Sequence, residues 1–328
     1  MTPVLSFSEV AIAGNVRLLH EFAVEADRCW AAALTRIVPI RLLRDLILPV
    51  TKLAACSRVY DAEHLADAGF EKIILTGRVV DAESLGRLGN VAQRTQMIVV
   101  IDHFRHAELL SPCAIQSNCE IQVLIEVDLG RQSTGVRPGP DASLLAAATS
   151  LLPGLRVIGV FASAMHCDPE HDAGETDEGI TSIVTIATHA LRSIRDVTAE
   201  SCEVVVSVSS SRSPSMQDAR ISCLVASPFI DLTGHSQKAV HQPCVSVVAT
   251  VISRPTLEWC VINAGTNTLG DVSDVYVSAP SGATIHHSTS ETSTLLVSGA
   301  ACDLRIGDLV RLGVRNFARI QPRVWFAS

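Results

Sequence analysis

The chain has 328 residues, of which 48% are hydrophobic and 18% are charged; this is enough apolar material for two folded domains and excludes a mainly disordered protein. The formal net charge is −8 and the 26 lysines and arginines form no basic stripe, so nucleic acid and anionic membranes are not expected as partners. No apolar run is long enough to span a bilayer and the N-terminus lacks a signal pattern, so we expect a cytoplasmic protein with a small-molecule substrate.

Residues 8–235 alternate between helical and strand patterns. The first helix is predicted over Val10–Val24, followed by a strand at Ala31–Ile37 and a helix at Ile40–Leu48. Six further strands are predicted, most of them before a helix: Leu53–Ser57, Lys72–Leu75, Gln96–Ile101, Gln122–Val127, Leu155–Phe161 and Glu203–Val208. Because the strand and helix alternate over more than 200 residues, the pattern favours an α/β fold of the (β/α)8 TIM-type barrel class over a doubly wound sheet.

The sequence pattern changes after Gly234 to β-branched runs that are separated by turns. Five strands are predicted there: Val245–Ser253, Trp259–Asn263, Val275–Ser278, Thr294–Val297 and Leu309–Leu312. We therefore predict a barrel over residues 8–235 and a second, C-terminal all-β domain over residues 236–328, with residues 1–7 packing on the second domain.

Several motifs resemble the D-serine dehydratase and D-threonine aldolase group. They are the segments Tyr60–Phe70, Ile73–Leu75, Glu126–Gly130, Gly135–Gly139, Val248–Pro255, Ile262–Gly265 and Gly307–Leu312. The resemblance implies the alanine-racemase-like fold, in which a barrel that binds pyridoxal phosphate precedes a β domain and the active site lies at the carboxyl mouth of the barrel. It also implies a homodimer, with the β domain of one chain near the barrel mouth of the other.

The chain departs from the group at the residues that would hold a cofactor. The resemblance implies a lysine at the end of the first barrel strand for the bond to pyridoxal phosphate, and the matching residue is Thr35. The sequence contains only three lysines, Lys52, Lys72 and Lys238. The resemblance also implies two metal ligands near the C-terminus, a histidine and, two residues later, a cysteine or an aspartate. The matching residues are Asn316 and Ala318, and alanine cannot coordinate zinc or manganese.

Further departures affect the predicted pocket. The resemblance implies an arginine in a Gly-x-x-Arg-x-Gly turn, and Ser133 stands in its place. Arg131, two residues earlier, could partly substitute for it. The group's tyrosine is absent from the segment Ser163–His166, and its glycine-rich phosphate cradle has become Val208–Pro214, in which three consecutive serines, 209–211, precede Arg212. These substitutions lead us to expect no cofactor, neither pyridoxal phosphate nor zinc, and no metal site.

The candidate catalytic group is His166, which would transfer a proton while Asp128 or Asp168 orients its ring. Candidate substrate-binding residues are those expected at the barrel mouth: Thr35, Arg131, Ser133, Ser163, Ser209, Ser210, Ser211, Arg212, Asp231, His235 and Asn316. Arg212 has two interpretations, a clamp for a substrate anion or a structural plug in the former phosphate space.

Three functional hypotheses remain open at this point. The first is an enzyme without pyridoxal phosphate, a lyase or an isomerase or cyclase that performs an acid–base cyclisation, isomerisation, elimination or aldol-type step on a small metabolite, in natural-product biosynthesis for example. The second is a non-catalytic pseudoenzyme that binds a ligand or an active homologue. The third is a residual D-amino-acid lyase that still depends on pyridoxal phosphate.

Overall fold

A computed structural model describes residues 2–130, 133–163, 177–195, 203–207, 218–229, 242–315 and 325–326. The chain divides into two compact units. One consists of residues 16–228, and the other combines residues 1–15 with residues 229–328. Within the described residues, no helix is both long and apolar enough to cross a membrane.

The chain begins with strand β1 (Val4–Phe7) and helix α1 (Glu9–Glu25). Eight parallel strands then form a closed barrel in chain order: β2 (Cys29–Ala33), β3 (Leu53–Cys56), β4 (Lys72–Leu75), β5 (Gln96–Ile101), β6 (Ile121–Glu126), β7 (Leu155–Ser163), β8 (Glu203–Ser207) and β9 (Cys223–Ala226). The helices of this unit are α2 (Ile40–Leu42), which continues as a π-helical turn at Leu43–Ile47, α3 (Val59–Ala68), α4 (Ala82–Ala92), α5 (Phe104–Gln116), α6 (Pro140–Ser150) and α7 (Asp177–Arg195).

The barrel strands are apolar because helices cover them outside and side chains fill the inside. All six residues of β6 are buried, and so are five of the six in β5. One core cluster joins residues from all eight barrel strands, with Ala31 and Ala55 as small members and Phe161 as the largest. The predicted TIM-type barrel is confirmed.

Besides shifts of one or two residues at the ends of β3, β6, β7 and β8, the barrel differs from the sequence prediction at its first and last strands. The strand predicted over Ala31–Ile37 ends at Ala33, because the next residues turn and are held by α3: the buried Asp61 Oδ1 accepts a hydrogen bond of 2.8 Å from the Arg36 amide. The closing strand β9 was not predicted. Its four residues are identified as a strand by their pairing with β2 and β8.

The second unit is an antiparallel, mostly β domain, as predicted. Its strands are β10 (Val245–Ser253), β11 (Trp259–Ile262), β12 (Val275–Ala279), β13 (Ala283–Ser288), β14 (Ser293–Val297), β15 (Leu309–Val314) and β16 (Trp325–Phe326). The sheet order is β12-β15-β10-β11-β14-β13, and β1 pairs with both β10 and β16. A short helix α8 (Thr266–Leu269) and two 3-10 turns, Val272–Asp274 and Gly299–Asp303, join the strands. Alternate residues of β10 are buried, which is the pattern of a sheet with one covered face.

We predict that Gly159→Ala lowers the free energy of unfolding by about 3 kcal/mol, because a small-to-large change at a close contact forces the backbone apart. Gly159 lies in β7 opposite Glu203 of β8, and a Cβ atom there would overlap the Glu203 carbonyl oxygen. Urea unfolding followed by circular dichroism measures the change.

Gly86→Ala is the matched control for this variant. Gly86 is an exposed residue of α4 with no atom within 4 Å of an added Cβ, so alanine should raise stability by about 0.5–1 kcal/mol through helix propensity. Equal stability of the two variants would contradict the close approach of β7 and β8.

Candidate active site

Charged side chains meet where three neighbouring barrel strands end. Arg78 follows β4, Asp102 comes directly after β5 and Glu126 is the last residue of β6. Because the strands are parallel, their carboxyl ends lie at the same end of the barrel, which is where catalytic residues of this architecture are found. Together with His106 and Thr134, these residues are called the mouth cluster below.

Arg78 is the centre of the mouth cluster. Its Nε and Nη2 atoms each donate a hydrogen bond of 3.1 Å to the two oxygens of Asp102, so the pair is bidentate. Nη2 also donates to Glu126 Oε2, and Nη1 donates to the backbone carbonyls of Thr76 and Val100. One guanidinium therefore fixes two carboxylates and the ends of two strands.

Glu126 is 4% exposed, and both of its oxygens are occupied. Oε2 receives Arg78, and Oε1 accepts a hydrogen bond of 3.1 Å from the Thr134 hydroxyl. Thr134 belongs to the loop that follows β6, and the next residue, Gly135, donates its amide to Asp102 Oδ2 at 3.0 Å. Gly135 has φ +111° and an added Cβ would meet the backbone of Val127 and Asp128, so only glycine brings this amide to Asp102 without strain.

The contacts of Asp102 decide its charge. Burial by itself raises the pKa of this carboxyl, but His106, Arg78 and the Gly135 amide together outweigh burial and hold the pKa well below its usual range. Asp102 is therefore ionised at neutral pH, and it stabilises any positive charge that forms beside it.

His106 is the group of the mouth cluster that is suited to proton transfer. It lies in the first turn of α5, and its Nδ1 is 3.1 Å from Asp102 Oδ1. Its Nε2 makes no hydrogen bond with a described residue, and 18% of the side chain is exposed. A histidine whose one nitrogen faces a carboxylate can accept a proton at the other, because the carboxylate stabilises the imidazolium.

Cys56 also lies at the carboxyl end of the barrel, but its thiol is not a nucleophile. Cys56 is the last residue of β3 and is buried. Burial, with a smaller contribution from the charge of Asp61, raises the pKa of the Cys56 thiol far above its usual range. The thiol stays protonated at neutral pH and is inert.

Four of the predicted site residues lie in the described part of the chain. Thr35 follows β2 and Ser163 ends β7, so both are at the carboxyl end of the barrel. Asp128 lies just beyond β6, where its Oδ1 accepts a hydrogen bond of 2.9 Å from the Gly130 amide, and Ser133 is exposed in the same loop. The remaining predicted residues lie outside the described ones: Arg131, His166, Asp168, Ser209, Ser210, Ser211, Arg212, Asp231, His235 and Asn316.

The sequence interpretation missed Arg78, Asp102, His106 and Thr134 as site residues, and it used Glu126 only as part of a motif. A usable signal was present for Asp102 and Glu126, because each is a lone charge at the end of an otherwise apolar strand. Arg78 carries no comparable signal. It lies three residues beyond β4, and its role depends on the folded position of its long side chain.

The residues present do not fit a pyridoxal phosphate group bonded to the chain at position 35. The Thr35 Oγ1 is buried and has no hydrogen-bond partner among the described residues, and a hydroxyl cannot form the imine that a lysine amine forms. Lys52 precedes β3 and Lys72 begins β4, so both lie at the opposite end of the barrel, and Lys238 lies outside the described residues. In the described ranges, no group of three or more His, Cys, Asp or Glu residues could hold a metal ion.

Comparisons with known proteins agree on the barrel. The family model "Alanine racemase, N-terminal domain" matches residues 11–214. A D-threonine aldolase from an Arthrobacter species is 29% identical over 173 residues, which is 52% of this chain and 44% of that protein. The match therefore spans less than half the length of this curated relative.

Solved structures extend the likeness to the β domain. The D-threonine aldolase from Filomicrobium marinum superposes with a TM-score of 0.85 at 20% identity and covers 96% of this chain and 87% of its own. D-threo-3-hydroxyaspartate dehydratase from Delftia sp. HT23 gives 0.75 at 16% identity, covering 97% and 91%. The alanine racemase from Corynebacterium glutamicum gives 0.70 at 15% identity, covering 99% and 98%. At these identities the likeness shows a shared fold.

We predict that Arg78→Met lowers the free energy of unfolding by about 3 kcal/mol at pH 7, because removing the guanidinium leaves the buried Glu126 and the largely buried Asp102 without their cation. The two carboxylates that Arg78 now separates would repel each other, and protonation of one of them at pH 4 should make the loss smaller. Urea unfolding at both pH values measures this.

In the parent protein, the lowered pKa of Asp102 determines how the free energy of unfolding changes with pH. Its stabilising effect is complete above the ordinary carboxyl pKa of about 4 and is lost as the pH falls through the lower folded value. Arg94→Met is the control, since the Arg94–Asp67 pair is about half exposed and should contribute no more than about 1 kcal/mol. Equal losses for the two variants would refute a special role of Arg78.

Proposed function

The chain belongs to the alanine racemase N-terminal domain family, and from this premise we propose that its barrel mouth is the active site of a lyase that acts on a small 3-hydroxy amino acid. The observation that carries the proposal is the mouth cluster, in which Arg78 holds two carboxylates and one of these faces His106. Such an arrangement provides a fixed proton acceptor at the end of the barrel where this architecture places catalysis.

The substrate class follows from two relatives. D-threonine aldolase and D-threo-3-hydroxyaspartate dehydratase are both named for D-configured amino acids that carry a hydroxyl group on the carbon next to Cα. Aldol-type cleavage and elimination both require proton movement at that hydroxyl group. We therefore favour these two reactions over the cyclisation and isomerisation that the sequence left open.

The expectation that the protein uses no cofactor is wrong. It rested on substitutions at single positions, whereas the family match and the D-threonine aldolase relatives support the group for which the sequence resemblance implied pyridoxal phosphate. Because Thr35 cannot supply an imine bond, we propose that the protein holds pyridoxal phosphate without a covalent link to residue 35.

The residues of the mouth cluster have separate roles in the proposed reaction. For aldol-type cleavage, His106 accepts the proton of the substrate hydroxyl group at Nε2 and returns it to the carbon that loses the aldehyde. For elimination, it accepts the Cα proton and delivers it to the departing hydroxyl group, which leaves as water. Asp102 stabilises the resulting imidazolium from the Nδ1 side. Arg78 and the Gly135 amide keep Asp102 ionised and in place, so they act as positioning residues.

His166 with Asp128 or Asp168 is the second candidate for proton transfer, and Ser209–Arg212 are the candidates for binding an anion.

We predict that the purified protein cleaves or dehydrates D-threonine or D-threo-3-hydroxyaspartate in the presence of pyridoxal phosphate, and that His106→Ala lowers kcat by at least about 100-fold, the usual effect of losing a general base. Release of aldehyde, oxo acid or ammonia measures activity. His286→Ala, an exposed histidine of the β domain, should leave kcat unchanged.

His166→Ala is assayed in parallel to separate the two proton-transfer candidates. A loss of activity in His166→Ala with full activity in His106→Ala would refute the role of His106. No turnover of either amino acid or of its L-configured counterpart would refute the lyase and favour a non-catalytic ligand-binding protein.

We predict that pyridoxal phosphate bound to the parent protein stays unlinked after borohydride treatment, whereas Thr35→Lys becomes covalently labelled because its amine forms an imine that borohydride reduces. Visible absorbance and intact-protein mass measure binding and linkage. Thr256→Lys, at an exposed position of the β domain, controls for labelling of any added lysine. Labelling of the parent protein at another lysine, or the absence of any binding, would contradict unlinked binding.

A further inference from the structure

The β domain has a cavity of about 500 Å³ of its own. This volume is in the range of small-molecule sites. Its lining comes from both ends of the sequence: Ser6, Phe7, Ser8, Pro243, Cys244, Val245, Ser246, Tyr276, Ser278, Arg311 and Gly313. This set is called the Arg311 pocket below, and it contains no aspartate or glutamate.

The floor of the Arg311 pocket is one row of residues across four adjacent strands. Tyr276 of β12 pairs with Gly313 of β15, Gly313 pairs with Ser246 of β10, and Ser246 pairs with Ser6 of β1. Neighbouring residues in such a row point to the same face of the sheet. The Tyr276 ring covers Gly313, and the two small serines beside it, Ser6 and Ser246, leave a trough above the sheet.

Gly313 is required for this shape. A Cβ atom at residue 313 would overlap the ring of Tyr276, so the ring can lie across β15 only because residue 313 has no side chain. Phe7 and Pro243 supply further apolar surface. The trough thus has an aromatic wall as well as hydroxyl groups.

Arg311 brings a positive charge over the same trough. Its Nη1 donates a hydrogen bond of 2.8 Å to the Ser246 hydroxyl and one of 3.5 Å to the Ser6 hydroxyl. No carboxylate pairs with it in the described part of the chain, whereas Arg87, Arg137 and Arg156 each pair with one. Its Nε and Nη2 atoms have no described partner, and these form the edge of guanidinium that binds oxyanions in a bidentate manner.

We propose that the Arg311 pocket binds a small anion in which a carboxylate or phosphate group is attached to a flat apolar group. Arg311 and the hydroxyl groups of Ser6 and Ser246 bind the oxyanion, and the apolar group lies against Tyr276 and Phe7. All of these residues belong to the β domain, so this site does not depend on the function proposed for the barrel mouth.

Isothermal titration calorimetry of the full chain with phenyl phosphate, inorganic phosphate and benzoate tests the proposal at constant ionic strength. Phenyl phosphate should bind at least about tenfold more tightly than inorganic phosphate, because its ring buries apolar surface. Comparison with benzoate identifies the preferred oxyanion. Equal weak heats for all three probes would overturn the proposal.

Two variants tie binding to the pocket. Arg311→Gln should weaken phenyl phosphate binding at least about tenfold, while Arg305→Gln, an exposed arginine outside the pocket, should bind as the parent does. Ser246→Leu, which fills the trough and keeps Arg311, should abolish binding with an unchanged circular dichroism spectrum. Full binding by Arg311→Gln or Ser246→Leu, or an equal loss in Arg305→Gln, would refute the Arg311 pocket as the site.

Discussion

The barrel mouth depends on one largely buried guanidinium that binds two carboxylates. Arg78 binds Asp102 through two nitrogens and reaches Glu126 with one of them. Burying three charged groups is unfavourable unless their polar atoms are paired, because each loses its contact with water. The pairing here is extensive: Thr134, Gly135 and the carbonyls of Thr76 and Val100 satisfy the remaining donors and acceptors. Such a network stabilises one arrangement of the loops after β4, β5 and β6 over others.

The barrel itself could be predicted because its physical causes are local. Short apolar strands that alternate with amphipathic helices appear directly in the sequence, and Lys72–Leu75 and Gln96–Ile101 have the predicted bounds. Where the prediction differed, a contact between distant residues was responsible. The first barrel strand ends early because Asp61, 25 residues further along the chain, binds the Arg36 amide. The closing strand is identified by its pairing with β2, at the other end of the barrel sequence.

The candidate site was harder to predict, because its residues are defined by what their side chains reach. The position of Thr35 could be found by counting along a motif, and it lies just beyond the last residue of β2, Ala33. Arg78, in contrast, contacts a carboxylate 24 residues away and another 48 residues away. Those contacts require the register of three strands, which no single segment encodes. His106 acquires a role only through Asp102, so it too needed the fold.

The charge of the mouth cluster also limits what can bind there. Two carboxyl groups, Asp102 and Glu126, face the single guanidinium of Arg78, so the formal charge of the ion-pair group is negative. A lysine at position 35 would have added a positive charge to the carboxyl end of the barrel, and Thr35 does not. A negative mouth attracts the ammonium group of an amino acid and repels its carboxylate or a phosphate. Any anion must therefore be held by other groups, and Ser209–Arg212, which combine hydroxyls with a guanidinium, are the segment whose chemistry suits that task.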